Sequence, residues 1–205
     1  MNGQINSEVK GESRRAPWTK MLKMLGIGFM SSIPTGIIFG LLLRLVMGII
    51  AFFFPHLASG FSFGGTFILI VLGIAVTLAN SILYTFSFKK SPHNWVRRGW
   101  KFGLFTLIIY GIPLFLSNPN NELFGPQAPL GISLFSSLFF LGPFLLGYFI
   151  DRIGRWVERS NRRSKLTYLA FALLIVPAIV MLVNLFAEIF YEMLPKVIEN
   201  LSQFF

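Results

Sequence analysis

Five apolar runs of 15 to 22 residues, at about 35–54, 66–86, 102–116, 132–150 and 166–187, recur along the chain with short basic or turn-rich segments between them. A helix rises 1.5 Å per residue, so roughly 20 such residues cross the 30 Å hydrocarbon layer of a bilayer. The runs are therefore read as membrane spans. Composition agrees, because 54% hydrophobic residues, 13% charged residues and a mean hydropathy of +0.68 lie outside the range of soluble domains. Lipid is the solvent for most of this sequence.

The segments between the runs divide into two kinds. Lys89, Lys90, Arg97, Arg98 and Lys101, with Trp95 and Trp100 among them, form one basic segment, and Arg152, Arg155, Arg159, Arg162, Arg163 and Lys165 form another. The segments 55–65 and 117–131 contain no Lys or Arg and are rich in Gly, Pro and Asn. Basic loops stay on the cytoplasmic side, and tryptophans favour the membrane edge. The pattern predicts an all-α, polytopic transmembrane helical bundle of five spans, with its N-terminus in the cytoplasm and its C-terminus outside. Among loop and tail cations only Lys196 then falls on the outer side.

Three regions follow. Residues 1–17 are polar and are expected to be a disordered cytoplasmic tail, retained because no secretory cleavage pattern is present. Residues 18–194 make the transmembrane helical domain, and 195–205 an amphipathic tail on the outer surface. From Trp18 to Phe54 the apolar character is nearly continuous, too long for one perpendicular span. Either one helix tilts, or Ser31-Ser32-Ile33-Pro34 breaks it into an interfacial helix with Lys20 and Lys23 on its polar face and a span at 35–54.

Small residues recur every fourth position at Gly28, Ser32, Gly36, Gly40 and Gly48, with Arg44 in the same register. That spacing stacks them on one side of a helix, where a neighbouring backbone can approach closely. The face of Ser32, Gly36, Gly40 and Gly48 is either a seam within the chain or a homodimer contact. Arg44 is costly in hydrocarbon, at least about 2.5 to 3.5 kcal/mol on insertion scales, so it faces protein, water or headgroups. If the first span begins after Pro34, Asn80 is in reach of Arg44. If the helix runs unbroken from Lys23, Arg44 nears the outer surface and Glu188 is its candidate partner. Arg44 then staples helices or binds an anion or lipid phosphate. Asn184 is a further intramembrane polar residue, and Pro34, Pro113, Pro143 and Pro177 free carbonyls in or beside spans.

Catalytic patterns are missing. With no cysteine there are no disulfides or thiolate sites. His56 and His93 fall on opposite predicted sides and cannot share a metal. No span carries a carboxylate near its middle, and no phosphate loop, dinucleotide fingerprint or hydrolase motif occurs. The expectation is a non-enzymatic protein without metal or cofactor, either an accessory subunit of a larger membrane complex or a homo-oligomer. The alternative is a carrier or channel for an anionic or lipidic solute that uses Arg44. The formal charge of +10 sits in the loops, which points to anionic lipid headgroups as partners and away from nucleic acid. Asn200-Leu201-Ser202 is a chance-level glycosylation sequon.

Through Arg44-Leu45-Val46-Met47 and Phe61-Ser62-Phe63-Gly64-Gly65-Thr66 the chain resembles the small, uncharacterised multi-span membrane proteins of bacteria. The resemblance implies a bacterial inner membrane and no particular activity.

Overall fold

The computed structural model describes residues 2–57, 62–87, 95–117 and 125–202, with side chains from Trp18 onward. Lys89, Lys90, His93, the segment 118–124 and the last three residues lie outside the described set, as do the side chains of 1–17. The protein is all-helical, 95% helix, with no strand among the described residues. Helix α1 is Asn2–Phe53, α2 is Phe63–Ser87, α3 is Trp95–Leu116, α4 is Ala128–Glu158 and α5 is Asn161–Ser202. A single 3-10 turn, Pro55–Leu57, follows α1. All five helices are long and apolar enough to cross a membrane.

Of the two arrangements open for residues 18–54, the structure has the single helix. Pro34 supplies no N–H, and its ring crowds the carbonyl one turn back, so a break was reasonable. Three hydroxyls flank it, each bonded to a carbonyl of its own helix. Ser31 Oγ donates to the Ile27 carbonyl, Ser32 Oγ to Phe29 and Thr35 Oγ1 to Ser31, each at 2.7 Å and fully buried. Residues 18–53 therefore rise about 54 Å, far more than the hydrocarbon thickness.

The small-residue face of α1 packs against α2 in an antiparallel register. Gly28 lies beside Ser81 and Thr85, Gly36 beside Gly73 and Ile74, and Gly40 beside Leu69 and Ile70. Between them Thr77 Oγ1 donates to the Ser32 carbonyl at 2.9 Å or, within its own helix, to Gly73 at 2.8 Å. A methyl group on Gly40 would stand 2.6 Å from the Ile70 Cα, so only glycine permits this approach. The seam ends there, because nothing lies within 4 Å of the place a Gly48 side chain would take.

Helix α5 closes the first core, where Leu25 and Phe29 meet Leu78, Ile82 and Ala178, with Phe171 stacked on Phe29. The second core joins Tyr84, Phe102 and Leu146 of α2, α3 and α4. Helix α3 reaches α4 through its own glycines, Gly99 and Gly103, against Phe144 and Phe140. The buried polar groups are mostly hydroxyls bonded to carbonyls, whereas Phe67, Leu173, Val176 and Val183 are exposed. Small and polar inside with apolar outside is the pattern that suits a lipid solvent.

Contacts at Gly26 with Thr167, Gly28 with Thr85, and Gly147 with Tyr84 and Trp95 bring one end of every helix together. Lys20 and Lys23, Arg97, Arg98 and Lys101, Arg152, Arg155 and Arg159, and Arg162, Arg163 and Lys165 are therefore at a common end of the bundle. Arg44 and Lys196 lie toward the other.

Candidate functional site

Two stretches depart from α-helical winding. Leu107–Gly111 in α3 and Glu188–Met193 in α5 are π-helical. Each is followed by a proline two residues past its end, Pro113 and Pro195. The proline ring displaces the carbonyl four residues back, Ile109 in one case and Tyr191 in the other, and a wider turn accommodates that displacement. Of the amphipathic tail expected at 195–205 the described part is helical, running on from α5 to Ser202, and Asn200 Nδ2 donates to the Leu116 carbonyl at 2.8 Å, docking the end of α5 on the end of α3.

The two wide turns border the same cavity, of about 330 Å³, to which every helix contributes. Phe39 and Leu43 come from α1, Val76, Thr77 and Asn80 from α2, and Thr106, Tyr110 and Leu114 from α3. Phe135, Leu138, Phe139 and Gly142 belong to α4, and Leu185, Glu188, Ile189 and Met193 to α5. The volume sits at the lower end of the range for small-molecule pockets. Its wall is almost wholly apolar, and Glu188, on the exposed side of α5, is the one charged residue among the lining residues.

The few polar groups in the wall are not equivalent. The Thr77 hydroxyl is engaged at Ser32 or Gly73. That of Thr106 donates at 3.0 Å to the Gly103 or the Phe139 carbonyl. In contrast, the Tyr110 hydroxyl and the Asn80 Oδ1 are buried without a hydrogen-bond partner among the described residues. Tyr110 itself is 7% exposed. An unsatisfied buried polar group costs about 1 to 3 kcal/mol, which singles out this pair among the polar residues of the wall.

Of the residues predicted from sequence, Asn80 and Glu188 come to one cavity, whereas Arg44 does not line it. Lys23 to Arg44 along an unbroken helix is about 32 Å, so Arg44 belongs to the end opposite the basic loops, half-buried on α1. Ser32, Gly36 and Gly40 form the seam with α2, and Gly48 lies beyond it. Asn184 is exposed on α5. Tyr110, Thr77 and Thr106 were not singled out in the sequence. The nearest signal for Tyr110 was Pro113, which places a distorted turn just before it. Among the described residues no group of His, Asp and Glu is arranged to hold a metal.

A smaller hollow of about 230 Å³ lies at the basic end, lined by Arg152, Ile153, Arg155, Trp156 and Arg159. Arg155 is tied to Asp151 at 2.7 Å, and the Arg163 guanidinium lies 4.7 Å from the centre of the Trp156 ring.

Fold and cavity together define a class, an all-helical protein with five helices of membrane-crossing length around a largely apolar cavity. Compared with known proteins, the chain matches no family model, no curated protein and no solved structure.

Proposed function

We propose that this chain is a multi-pass protein of the bacterial inner membrane that binds the apolar part of a lipid-like molecule in the chamber between its five helices. The observation that carries this reading is the cavity itself: about 330 Å³, walled almost wholly by hydrocarbon and aromatic side chains. Apolar chains are the commonest small solutes at that depth, and dispersion contacts with the wall favour them over an empty space. Glu188 is the one carboxylate among the lining residues and no group of His, Asp and Glu among the described residues is arranged to hold a metal, so the reading is of binding or carriage.

Two earlier expectations bear on it. A homo-oligomer built on the glycine face needs that face outward, but Gly36 and Gly40 lie against α2. A carrier for an anionic solute needs Arg44 at the cavity, but the lining residues do not include it, and the lipidic solute is the part of that reading that the wall supports. We place the basic end in the cytoplasm, beside anionic headgroups, on the positive-inside bias.

Photolabelling tests the reading. The full chain in lipid nanodiscs is exposed to a diazirine-bearing alkane, and the modified residues are mapped by mass spectrometry. Labels on cavity residues are expected, and Leu138→Trp, which fills the chamber, should remove them, while Arg44→Gln should not. Labels spread evenly over the lipid-facing surface, unchanged by Leu138→Trp, would contradict it.

A further inference from the structure

The hollow at the basic end of the bundle is separate from the chamber and of opposite character. We propose that it holds the phosphate of an anionic phospholipid, a phosphomonoester head gripped between Arg152 and Arg159, with the acyl chains running along the lipid-facing side of α4. This rests on the basic end lying at a bilayer face, as argued above, and not on what the chamber binds.

Arg152, Arg155, Trp156 and Arg159 all line the hollow, and all four are exposed, so a headgroup can reach them. Arg159 caps α4 and keeps helical backbone angles. At about 100° per residue Arg152 and Arg159 therefore lie within roughly 20° of each other, two turns or about 10.5 Å apart along the axis, with Trp156 between them. Two arginine side chains close that gap from either side. Each brings a planar fork of N–H donors that matches phosphate oxygens.

The surrounding charges leave these two guanidiniums to a ligand. Arg155 is paired with Asp151 at 2.7 Å, and the Arg163 guanidinium lies 4.7 Å from the centre of the Trp156 ring. Arg152 and Arg159 have no ion pair among the described residues. Glu158, the other carboxylate of this stretch, lies roughly 100° or more round the helix from either of them. With Asp151 offsetting Arg155, the hollow keeps two positive charges. A phosphomonoester, at about −1.5 to −2 near pH 7, is their complement.

The face that the arginines share favours a lipid over free phosphate. Leu141 and Tyr148 are exposed, and with Arg152 and Arg159 they follow one another at steps of seven, four and seven residues, which keeps all four on one side of α4. A lipid whose head fills the hollow lays its chains along Leu141 and Tyr148. A free phosphate makes no contact with them. The exposed Trp156 ring beside the arginines suits the headgroup level, where tryptophan concentrates.

Native mass spectrometry of the full chain, released from phosphatidylcholine nanodiscs containing a small fraction of phosphatidate or of phosphatidylglycerol, identifies the lipids it retains. Phosphatidate is expected to be retained about tenfold more than phosphatidylglycerol, whose phosphodiester carries less charge. Arg152→Gln with Arg159→Gln should lower phosphatidate retention at least about tenfold. Arg162→Gln with Lys165→Gln removes the same charge from the same end without touching the hollow, and should lower it less than about twofold. Equal losses in the two double variants, equal retention of the two lipids, or displacement of phosphatidate by an equimolar amount of inorganic phosphate would each overturn the proposal. So would retained phosphatidate that survives the loss of both arginines and is expelled by Leu138→Trp, a result that leaves the chamber reading standing.

Discussion

Single residues decide how closely the helices approach. At Gly36 an added side chain would run into the backbone of α2 at Gly73 and Ile74, whereas at Gly48 it would meet nothing. Gly36→Val is expected to destabilise the folded protein by about 1 to 3 kcal/mol, the usual range for overpacking, and Gly48→Val by less than about 0.5 kcal/mol. Unfolding in mixed detergent micelles measures the difference, and equal effects at the two positions would remove the α1–α2 seam from the account. Thr77→Val tests the same seam more gently. It keeps the shape and loses the bond to Ser32, and interhelical hydrogen bonds of this kind average about 0.6 kcal/mol. The four-residue spacing of the stripe was legible in the sequence, but which helix it would meet was not, since small residues attract any backbone that presents a matching gap. Arg44 shows the opposite limit. Its cost in lipid was plain from its position in an apolar run, and its depth depended on whether the helix broke at Pro34, which α1 passes through unbroken.

At the scale of elements, hydropathy was sufficient to find all five helices, because bilayer-length apolar runs have few other uses. Their ends were less legible. The apolar run in α5 stops near residue 187, but its helix continues to Ser202 because the π turn at Glu188–Met193 absorbs Pro195 and because the end of α3 offers it a docking point. Two prolines that read as a kink and a stop are, in the folded chain, paired devices that widen α3 and α5 beside one chamber. That pairing has no one-dimensional signature. The docking is testable in a chain with no native cysteine. Leu116→Cys with Asn200→Cys should be joined within one chain by a short bifunctional thiol reagent in membranes, and the pair Leu116→Cys with Lys165→Cys, at opposite ends of the bundle, should not. An uncrosslinked first pair would mean that the end of α5 lies elsewhere.

The whole molecule depends on one arrangement of charge and hydrocarbon. Its interior is built on glycine contacts and hydroxyl bonds, and its exterior exposes leucine, valine and phenylalanine, a distribution that suits a lipid solvent. The described cations outside the spans gather at one end of the helices, with Lys196 the exception, and the chamber with Asn80, Tyr110 and Glu188 lies between that end and the other. If the helices cross the bilayer, the chamber is inside it and its apolar wall faces lipid-derived solutes; if they do not, the binding proposal has no membrane to draw from. Arg155, in the basic cluster, and Ser117, at the far end of α3, therefore carry the decisive comparison. Arg155→Cys and Ser117→Cys, each introduced alone, are treated in sealed inside-out vesicles with a membrane-impermeant maleimide. Modification at 155 but not at 117 until the vesicles are opened is the predicted result, and equal reactivity of the two in sealed vesicles would contradict it.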